Sequence, residues 1–219
     1  MRKIALGGVL LSKIPKPVIR RLAVYLRCLS ELEEKGIKLV SSKQLASMLH
    51  IKDSQVRKDL SYFGNLGHRG IGYDVKGLAR KLREVLGLYK IWSVIILGAG
   101  NIGRALANHR RLEQNNFKVK AVFDIDKRKI GKQIAPGLIV KNVDELEHFV
   151  RQNGVDIAVL AVPADVANEL ANRLEISGVK GIICFAPTTL SCKIPVEYVD
   201  ITVFFKTLAH TIVNSSYNI

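Results

Sequence analysis

Apolar residues recur every three or four positions between residues 16 and 86, which is the spacing that places them on one face of an α-helix. Pro15 and Pro17 mark where the first helix begins, because proline is tolerated only in the first turn of a helix. The pattern predicts four helices. The first runs from the prolines to Gly36, and the second is capped by a hydroxyl of Val40-Ser41-Ser42 and stops near His50. The third is capped by Asp53 or Ser54 and ends at Gly64, and the fourth runs from Val75 to Leu86.

The stretch from Gly64 to Tyr73 contains four glycines in ten residues and few apolar side chains. Glycine permits tight turns, whereas a core strand needs apolar residues to bury. We therefore predict a flexible hairpin between the third and fourth helices. The fourth helix breaks at Gly87, which places a domain boundary near residues 87–91.

From Trp92 onward, short apolar runs alternate with helical segments, an order typical of βαβ units and a parallel sheet. Runs of this kind suit strands that are buried on both faces. The predicted strands are Ser93–Leu97, Val119–Phe123, Ile157–Val162 and Gly181–Phe185. The predicted helices are residues 101–110, 143–152 and 165–176, and a final helix from Thr202 to Val213. The fold class is therefore α/β in this part of the chain.

The chain is strongly basic, and most of the excess charge lies in its N-terminal part. Over 219 residues, 34 lysines and arginines against 19 acidic residues give a net charge of +15 and a pI near 9.9. Residues 1–86 hold 18 basic and 7 acidic side chains, which accounts for +11 of that charge. The asymmetry indicates two domains with two partners, one of them a polyanion such as nucleic acid.

Composition excludes several classes of protein. With 48% hydrophobic and 24% charged residues, the chain is typical of globular proteins rather than of disordered or fibrous ones. Its three cysteines are an odd number without C-x-x-C spacing, which indicates neither a disulfide framework nor a zinc site. No run approaches the roughly 18 apolar residues that span a bilayer. We expect a cytoplasmic protein without a metal or a membrane partner.

The strongest chemical signal is a glycine motif directly after the first predicted strand of the sheet. It consists of Gly98, Ala99, Gly100, Asn101, Ile102 and Gly103. Between a strand and a helix, G-x-G-x-x-G spacing lets the backbone turn tightly and brings a pyrophosphate to the helix N-terminus. The next strand ends in Asp124, 21 residues beyond Gly103, where a carboxylate accepts hydrogen bonds from the adenosine ribose and repels a 2′-phosphate. The motif therefore predicts a dinucleotide site that favours NAD(H) over NADP(H).

Two alternatives to that prediction stay open. Lys127, Arg128 and Lys129 follow Asp124 closely and weaken the preference for NAD(H), because a cation can accommodate a 2′-phosphate. A sheet of this kind can also hold another nucleotide, or none.

The third predicted helix has the side chains that a DNA-recognition helix needs. Such a helix hides an apolar stripe, here Val56, Leu60 and Phe63, and presents polar groups to the major groove. The positions that we expect at DNA are Ser54, Gln55, Arg57, Lys58, Ser61 and Tyr62. The glycine-rich hairpin would then be a wing whose His68 and Arg69 reach DNA, since an arginine can enter a narrow minor groove. A solvated basic helix on an unrelated helical domain is the alternative.

Several segments of the chain follow the pattern of one protein family. They are Lys13-Ile14-Pro15, Tyr25-Leu26-Arg27, Val40-Ser41-Ser42, the run from Gln55 to Gly64, Arg69-Gly70-Ile71-Gly72-Tyr73, the glycine motif, Phe185-Ala186-Pro187 and Val199-Asp200. Together they resemble the Rex family of redox-sensing transcriptional repressors over about residues 13–212. The resemblance implies a homodimer whose winged-helix domains bind double-stranded operator DNA with an inverted repeat. It also implies Rossmann domains that bind NADH and NAD+, with NADH releasing the DNA.

We therefore divide the chain into three parts. Residues 1–86 are expected to form the winged-helix domain, with residues 1–12 as an N-terminal extension, and residues 87–201 the Rossmann domain. Residues 202–219 are expected to form a C-terminal helix and tail, and the resemblance implies that this helix is exchanged between subunits. Its Val203, Phe204, Phe205 and Leu208 fit this expectation, because they are more apolar surface than a free tail should expose.

The resemblance also implies particular site residues. Further cofactor contacts are expected at Val162 and Pro163 and at Phe185 and Ala186, each pair at the end of a predicted strand. A switch is expected between Arg27 of the first helix and Asp200 before the final helix. Such an ion pair can exist in one domain arrangement and not in another. A static surface ion pair is the alternative.

The chain departs from the family pattern at three places. His109 stands where the family usually carries tyrosine, at a position linked to the switch aspartate, and a histidine can become cationic toward Asp200 and make the response pH-sensitive. Cys184 replaces the usual asparagine before Phe185, and Phe204-Phe205-Lys206 replaces a more polar stretch. We expect these changes to alter the discrimination between NAD+ and NADH.

Two other functions stay open from the sequence. A small NAD-dependent dehydrogenase with a basic accessory domain needs a proton donor near the nicotinamide, and the sequence offers only His109, without a Tyr-x-x-x-Lys pair. A nucleotide- or CoA-binding scaffold with an acidic protein partner is the third candidate, which Asp124 disfavours because CoA has a phosphorylated ribose. We expect a repressor and not an enzyme.

Overall fold

The computed structural model of the chain describes residues 5–6, 9–10, 14–64, 66–68 and 71–215. The chain divides into two compact units, residues 1–90 and residues 91–219. Of the predicted site residues, Arg69 lies outside the described residues, and His68 is described by its backbone alone. Most of the predicted extension, residues 1–12, also lies outside them.

Helices surround one apolar core in the N-terminal unit, beside short antiparallel strands. In chain order the elements are β1 (Ala5–Leu6), β2 (Val9–Leu10), α1 (Lys16–Glu34), β3 (Leu39–Val40), α2 (Ser42–Met48), α3 (Asp53–Ser61), β4 (Gly67–His68), β5 (Gly72–Asp74) and α4 (Val75–Val85). The predicted apolar stripes meet in the core, where Leu22 of α1, Leu45 of α2, Leu60 of α3 and Leu82 of α4 are buried. The four helices predicted from the spacing are thereby confirmed.

Two helix starts show how local chemistry sets the boundaries. Ser41 caps α2 as predicted, because its hydroxyl accepts the Gln44 N–H at 3.1 Å and the Gln44 side chain accepts the Ser41 N–H at 2.8 Å. For α3 the predicted cap was wrong. The N-cap is Lys52, without a side-chain hydrogen bond, and Asp53 lies in the first turn, where its carboxylate binds Arg57 at 2.6 Å instead.

The glycine-rich hairpin lies in a three-stranded antiparallel sheet with the order β3-β5-β4. Gly67 is paired with Tyr73 and His68 with Gly72, while β5 also pairs with β3 directly before α2. The wing is therefore joined through the backbone to the start of the helix-turn-helix.

The C-terminal unit is a parallel sheet between helices. In chain order its elements are β6 (Trp92–Leu97), α5 (Asn101–Ala107), α6 (Arg110–Gln114), β7 (Phe117–Asp124), β8 (Gln133–Ala135), β9 (Leu138–Asn142), a 3-10 turn (Val143–Glu145), α7 (Leu146–Asn153), β10 (Ile157–Leu160), α8 (Ala164–Ser177), β11 (Gly181–Cys184), β12 (Val196–Tyr198) and α9 (Ile201–Ser215). The sheet order is β12-β11-β10-β6-β7-β9-β8, and only β8 is antiparallel to its neighbour. Numbered along the chain, the parallel strands lie in the order 3-2-1-4-5-6, that of a Rossmann fold.

The two faces of this sheet have separate cores. Side chains of α7 and α8 pack against Ile95, Phe123 and Leu160 on one face. Leu106 and Ala107 of α5 pack against Val94 and Ile96 and their neighbours on the other. The predicted α/β class is confirmed.

Two predicted helices of this unit differ from the structure, and three of its strands were not predicted. The helix predicted over residues 101–110 breaks after Ala107, because the Asn108 amide donates to the carbonyl oxygens of Arg104 at 2.8 Å and Ile134 at 2.9 Å, and His109 is extended. The helix predicted over residues 143–152 begins as a 3-10 turn. The strands β8, β9 and β12 were not predicted, since each is short or partly polar.

Candidate nucleotide site and DNA-binding surface

The turn after β6 depends on two glycines that approach other backbone closely. Gly98 has φ +102°, and a Cβ there would collide with the carbonyl of Ala161 after β10. A Cβ at Gly103 would collide with the carbonyl of Gly98, so this glycine lets α5 pack against the turn. A Cβ at Gly100, by contrast, would meet nothing within 4 Å. In a G-x-G-x-x-G motif, the space beside the second glycine, here Gly100, is where a pyrophosphate approaches the backbone.

A cavity of about 460 Å³ opens beside this turn, at the carboxyl ends of β6, β7 and β10. In an α/β sheet, ligands bind where the strand order reverses, here between β6 and β10. The residues that line the cavity include Gly98, Gly100, Asp124, Asp126, Lys129, Val162, Pro163, Val166, Glu169 and Arg173. The structure thus brings Val162 and Pro163 together with the glycine motif and Asp124.

The remaining residues predicted at the cofactor are not among those that line this cavity. Asn101 and Ile102 begin α5 and are exposed, while Ala99 is buried in the turn. Phe185 and Ala186 follow β11; Ala186 is buried in one core, and Phe185 packs half-buried against the other. Their contact with a cofactor stays a prediction.

Asp124 ends β7 and holds the cavity wall together. Its carboxylate accepts the Ala99 N–H at 2.7 Å, the Asp126 N–H at 2.8 Å and the Lys129 ammonium at 2.9 Å. Burial alone would raise the pKa of Asp124, but these hydrogen bonds outweigh burial and hold the pKa below its ordinary value. The carboxylate is therefore ionised at neutral pH and able to accept a hydrogen bond from a ribose hydroxyl.

The outer face of α3 carries the residues predicted at DNA. Ser54, Arg57, Lys58 and Ser61 are exposed there. Arg57 lies 2.6 Å from the Asp53 carboxylate and 3.3 Å from the Ser42 hydroxyl, which fixes its guanidinium beside the start of α2. The hydrogen bond from Arg57 holds the pKa of Asp53 below its ordinary value. Arg57 and Lys58 are thus exposed on α3, the second helix of the helix-turn-helix, where a recognition helix needs its cations.

Gln55 and Tyr62 differ from their neighbours, because both are half-buried. The Gln55 amide donates to Asp59 at 2.8 Å, and Tyr62 packs against the core. Sequence reasoning gave no role to Asp59, which is fully buried. Its position among Val56, Leu60 and Phe63 on the apolar stripe was the available signal, since a charged residue is almost never buried without a partner.

The predicted switch residues lie on different units. Arg27 is exposed on α1, and Asp200 is exposed directly before α9. The Asp200 carboxylate accepts the N–H and the hydroxyl of Thr202 at 2.8 and 2.7 Å, and these hydrogen bonds hold the pKa of Asp200 below its ordinary value. Asp200 thereby fixes the first turn of α9. Its pairing with Arg27 stays a prediction.

His109 lies at the break between α5 and α6. It is the N-cap residue of α6 and lines a second cavity of about 610 Å³, between these helices and the turn from β8 to β9. Its part in a switch also stays a prediction. Among the described residues, no group of three or more histidines, cysteines or acidic residues could hold a metal ion. No helix in the described part of the chain has the length and apolar character to cross a bilayer.

Comparison with known proteins gives matches over both units. Residues 13–61 match the family model described as "Putative DNA-binding protein N-terminus", and residues 89–188 match the "CoA binding domain" model. The redox-sensing transcriptional repressor Rex 1 of Thermotoga maritima is 50% identical over 202 residues, which are 92% of this chain and 97% of the relative.

Solved structures of RSP, a Rex-family repressor, are also similar. RSP in complex with beta-NAD+ and operator DNA has a TM-score of 0.86 and 36% identity, over 93% of this chain and 94% of RSP. RSP in complex with beta-NADH has a TM-score of 0.84 and 35% identity, over 94% and 97%. A relative at 50% identity over almost its whole length establishes the family that the motifs predict. This chain belongs to the Rex family of redox-sensing transcriptional repressors.

Proposed function

We propose that this chain is a redox-sensing transcriptional repressor whose N-terminal unit binds an inverted repeat in operator DNA and whose C-terminal unit binds NADH or NAD+. One observation carries the proposal: a helix-turn-helix with cations on the outer face of α3 and a Rossmann cavity with Asp124 at its wall lie in one chain. The RSP complexes with operator DNA and with each dinucleotide support the same combination.

DNA binding would draw most of its affinity from phosphate contacts by the basic N-terminal unit. Arg57 and Lys58, exposed on α3, are the residues that would enter the major groove, and Gln55 would contribute from its fixed position. Affinity should therefore fall steeply as salt rises, while sequence preference depends on the few side chains of α3.

Release by NADH requires that NADH bind the DNA-incompetent arrangement more tightly than the competent one. A ligand with equal affinity for both arrangements shifts nothing, however tightly it binds. Arg27 and Asp200 are the residues that we propose as the two-state contact, since they belong to different units and both are exposed.

A homodimer would match the two-fold symmetry of an inverted repeat. Its support in this chain is α9, where Phe204 is 70% exposed and Phe205 67% exposed, with Val203, Leu208 and Ile212 exposed as well. So much apolar surface on one helix indicates an interaction site. We propose that α9 packs on a second copy of this chain.

The experiment is a binding titration with the purified protein, using an inverted-repeat operator duplex, a scrambled duplex as control, and NADH and NAD+ added separately at fixed salt. We expect specific binding that NADH abolishes and NAD+ spares. Tight dinucleotide binding without specific DNA binding would contradict the repressor function and favour a dehydrogenase or a nucleotide-binding scaffold.

A further inference from the structure

The three cations that follow Asp124 in the sequence have different positions in the structure. Lys127 is exposed, and Arg128, with its side chain 88% exposed, directs two donors to Asp126 at 3.0 and 2.9 Å. Lys129 alone among the three lines the cavity at the carboxyl ends of β6, β7 and β10, with its ammonium 2.9 Å from Asp124 Oδ2. The sequence left open whether these cations accommodate a 2′-phosphate, and in the structure only Lys129 of the three is placed to do so.

Asp124 has little accepting capacity left for a ligand. An ionised carboxylate has about four acceptor sites. Oδ2 already accepts the Ala99 N–H and the Lys129 ammonium, and Oδ1 accepts the Asp126 N–H. The Asp124 side chain is also only 8% exposed, compared with 38% for Lys129. A ribose bound beside Asp124 would consequently contact the Lys129 ammonium as well as the Asp124 carboxylate.

The ammonium has donors to offer such a ribose. A lysine ammonium has about three donors, and the Asp124 carboxylate takes one of them. A ribose 2′-hydroxyl can donate to Asp124 and accept from Lys129 at the same time. A 2′-phosphate can accept from Lys129 but is repelled by Asp124. Asp124 and Lys129 therefore both bind a 2′-hydroxyl, whereas Lys129 attracts a 2′-phosphate and Asp124 repels it.

We propose that Lys129 is a specificity-determining residue of the nucleotide site, whose ammonium donates to the 2′-oxygen of the adenosine ribose. The preference between NADH and NADPH is then set by the Asp124–Lys129 pair rather than by Asp124 alone. This inference rests on the proposed NAD(H) function of the same cavity. Removing the charge of Asp124 leaves Lys129 to bind a 2′-phosphate, whereas removing Lys129 strengthens the rejection of NADPH.

The test compares the full-length wild type with Asp124→Asn, Lys129→Met and the double variant, each titrated with NADH and with NADPH by calorimetry. Asparagine keeps one acceptor oxygen for the Ala99 N–H, but its amide nitrogen cannot accept the Asp126 N–H, so the double variant, which carries the same asparagine, is the reference for Asp124→Asn. We expect Asp124→Asn to raise the ratio of NADPH affinity to NADH affinity about tenfold or more, the size of one hydrogen bond to a charged group. The double variant should lose that gain. Lys129→Met alone should lower the ratio below the wild-type value.

Lys132→Met is the matched control, because it removes the same charge from an exposed position that does not line the cavity. It should leave the ratio within about twofold of wild type. Equal ratios in Asp124→Asn and the double variant, or an equal effect of Lys132→Met and Lys129→Met, would overturn the role of Lys129. A wild-type chain that binds neither dinucleotide would overturn the proposed function as well, whereas NADH binding with ratios that do not depend on Lys129 would overturn this inference alone.

Discussion

Arg21 holds the buried carboxylate of Asp59 at two points, with Nε 2.6 Å from Oδ2 and Nη2 2.8 Å from Oδ1. The Tyr25 hydroxyl at 2.7 Å and the Gln55 amide at 2.8 Å donate to the same carboxylate. Arg21 and Tyr25 lie on α1, whereas Gln55 and Asp59 lie on α3. The contact therefore fastens the recognition helix to the first helix of the unit.

Arg21→Ala should destabilise the N-terminal unit by about 3 kcal/mol, the low end of the cost of breaking a buried ion pair, because Tyr25 and Gln55 still bind Asp59. In calorimetry, the melting temperature of that unit should fall by more than about 10 °C. Arg27→Ala, an exposed change on the same helix, is the control and should shift stability by less than about 0.5 kcal/mol. Equal stability of the two variants would show that the Arg21–Asp59 pair contributes nothing.

The same contact should make stability depend on pH in a defined direction. Burial raises the pKa of Asp59, but the hydrogen bonds from Arg21, Tyr25 and Gln55 outweigh burial and hold it below its ordinary value. Its stabilising contribution is therefore complete above the unfolded pKa of about 4 and is lost as pH falls through the lower folded pKa. Burial also raises the pKa of Tyr25, so its contribution is complete below the unfolded pKa of about 10 and is lost gradually as pH rises from there toward the higher folded pKa. Melting temperatures from pH 3 to pH 11 measure the onset of both losses, and Arg21→Ala should make the melting temperature depend less on pH at the acid end.

Lys58→Ala should weaken operator binding about tenfold at fixed salt, because Lys58 is an exposed cation on the outer face of α3. If it contacts phosphate, the slope of log affinity against log salt should become shallower by about one. Lys132→Ala removes an equal charge from the other unit and is the control. An equal loss in both variants would mean that net charge, and not the position on α3, determines affinity.

Gly103→Ala and Gly100→Ala should both abolish tight NADH binding, but for different reasons. A Cβ at residue 103 collides with the Gly98 carbonyl, so Gly103→Ala should also lower the melting temperature of the C-terminal unit. A Cβ at residue 100 meets no protein atom within 4 Å, so Gly100→Ala should melt like the wild type while binding NADH at least about tenfold more weakly. Titration and calorimetry on each variant provide the measurement. Wild-type NADH affinity in Gly100→Ala would place the pyrophosphate elsewhere.

Replacing both Phe204 and Phe205 with serine should dissociate the homodimer that we propose. Both subunits carry the change, so the interface loses four aromatic side chains; at about 2 kcal/mol each, the dimer should weaken about a million-fold. Light scattering after size exclusion at micromolar concentration measures the change, and Lys206→Ser on the same helix is the control. A double variant that stays dimeric would show that the apolar surface of α9 does not hold the dimer together.

Helices and buried strands were predictable because burial imposes a period on the sequence. The stripe of Val56, Leu60 and Phe63 is legible without a structure, and so is the run of β6, which is buried along most of its length. The glycine motif and Asp124 could be placed at one cavity because parallel strands end at the same edge of a sheet.

Other features depend on partners that are distant in sequence. Asn108 breaks the helix after β6 partly through a hydrogen bond to the Ile134 carbonyl, 26 residues away. The burial of Asp59 depends on Arg21 and Tyr25, which lie 38 and 34 residues earlier, and no local pattern joins them to Asp59. Lys127, Arg128 and Lys129 look equivalent as neighbouring cations until the loop after β7 directs each one differently. In each case the fold decides which residues come into contact, and the sequence pattern alone does not show which ones they are.

Gly72 shows how the wing could mislead a genetic study. Its φ is +104°, and a Cβ there would lie 2.6 Å from the Val40 carbonyl oxygen and 3.4 Å from the Ser41 Cα. Any side chain at position 72 therefore pushes against the strand whose end carries the cap of α2. A selection for derepressed strains would recover substitutions of Gly72 beside those of Lys58, and the two classes would look alike in a reporter assay. Only the first class would also melt at lower temperature, so a map of repression defects would overstate the DNA-contacting surface unless stability were measured for every allele.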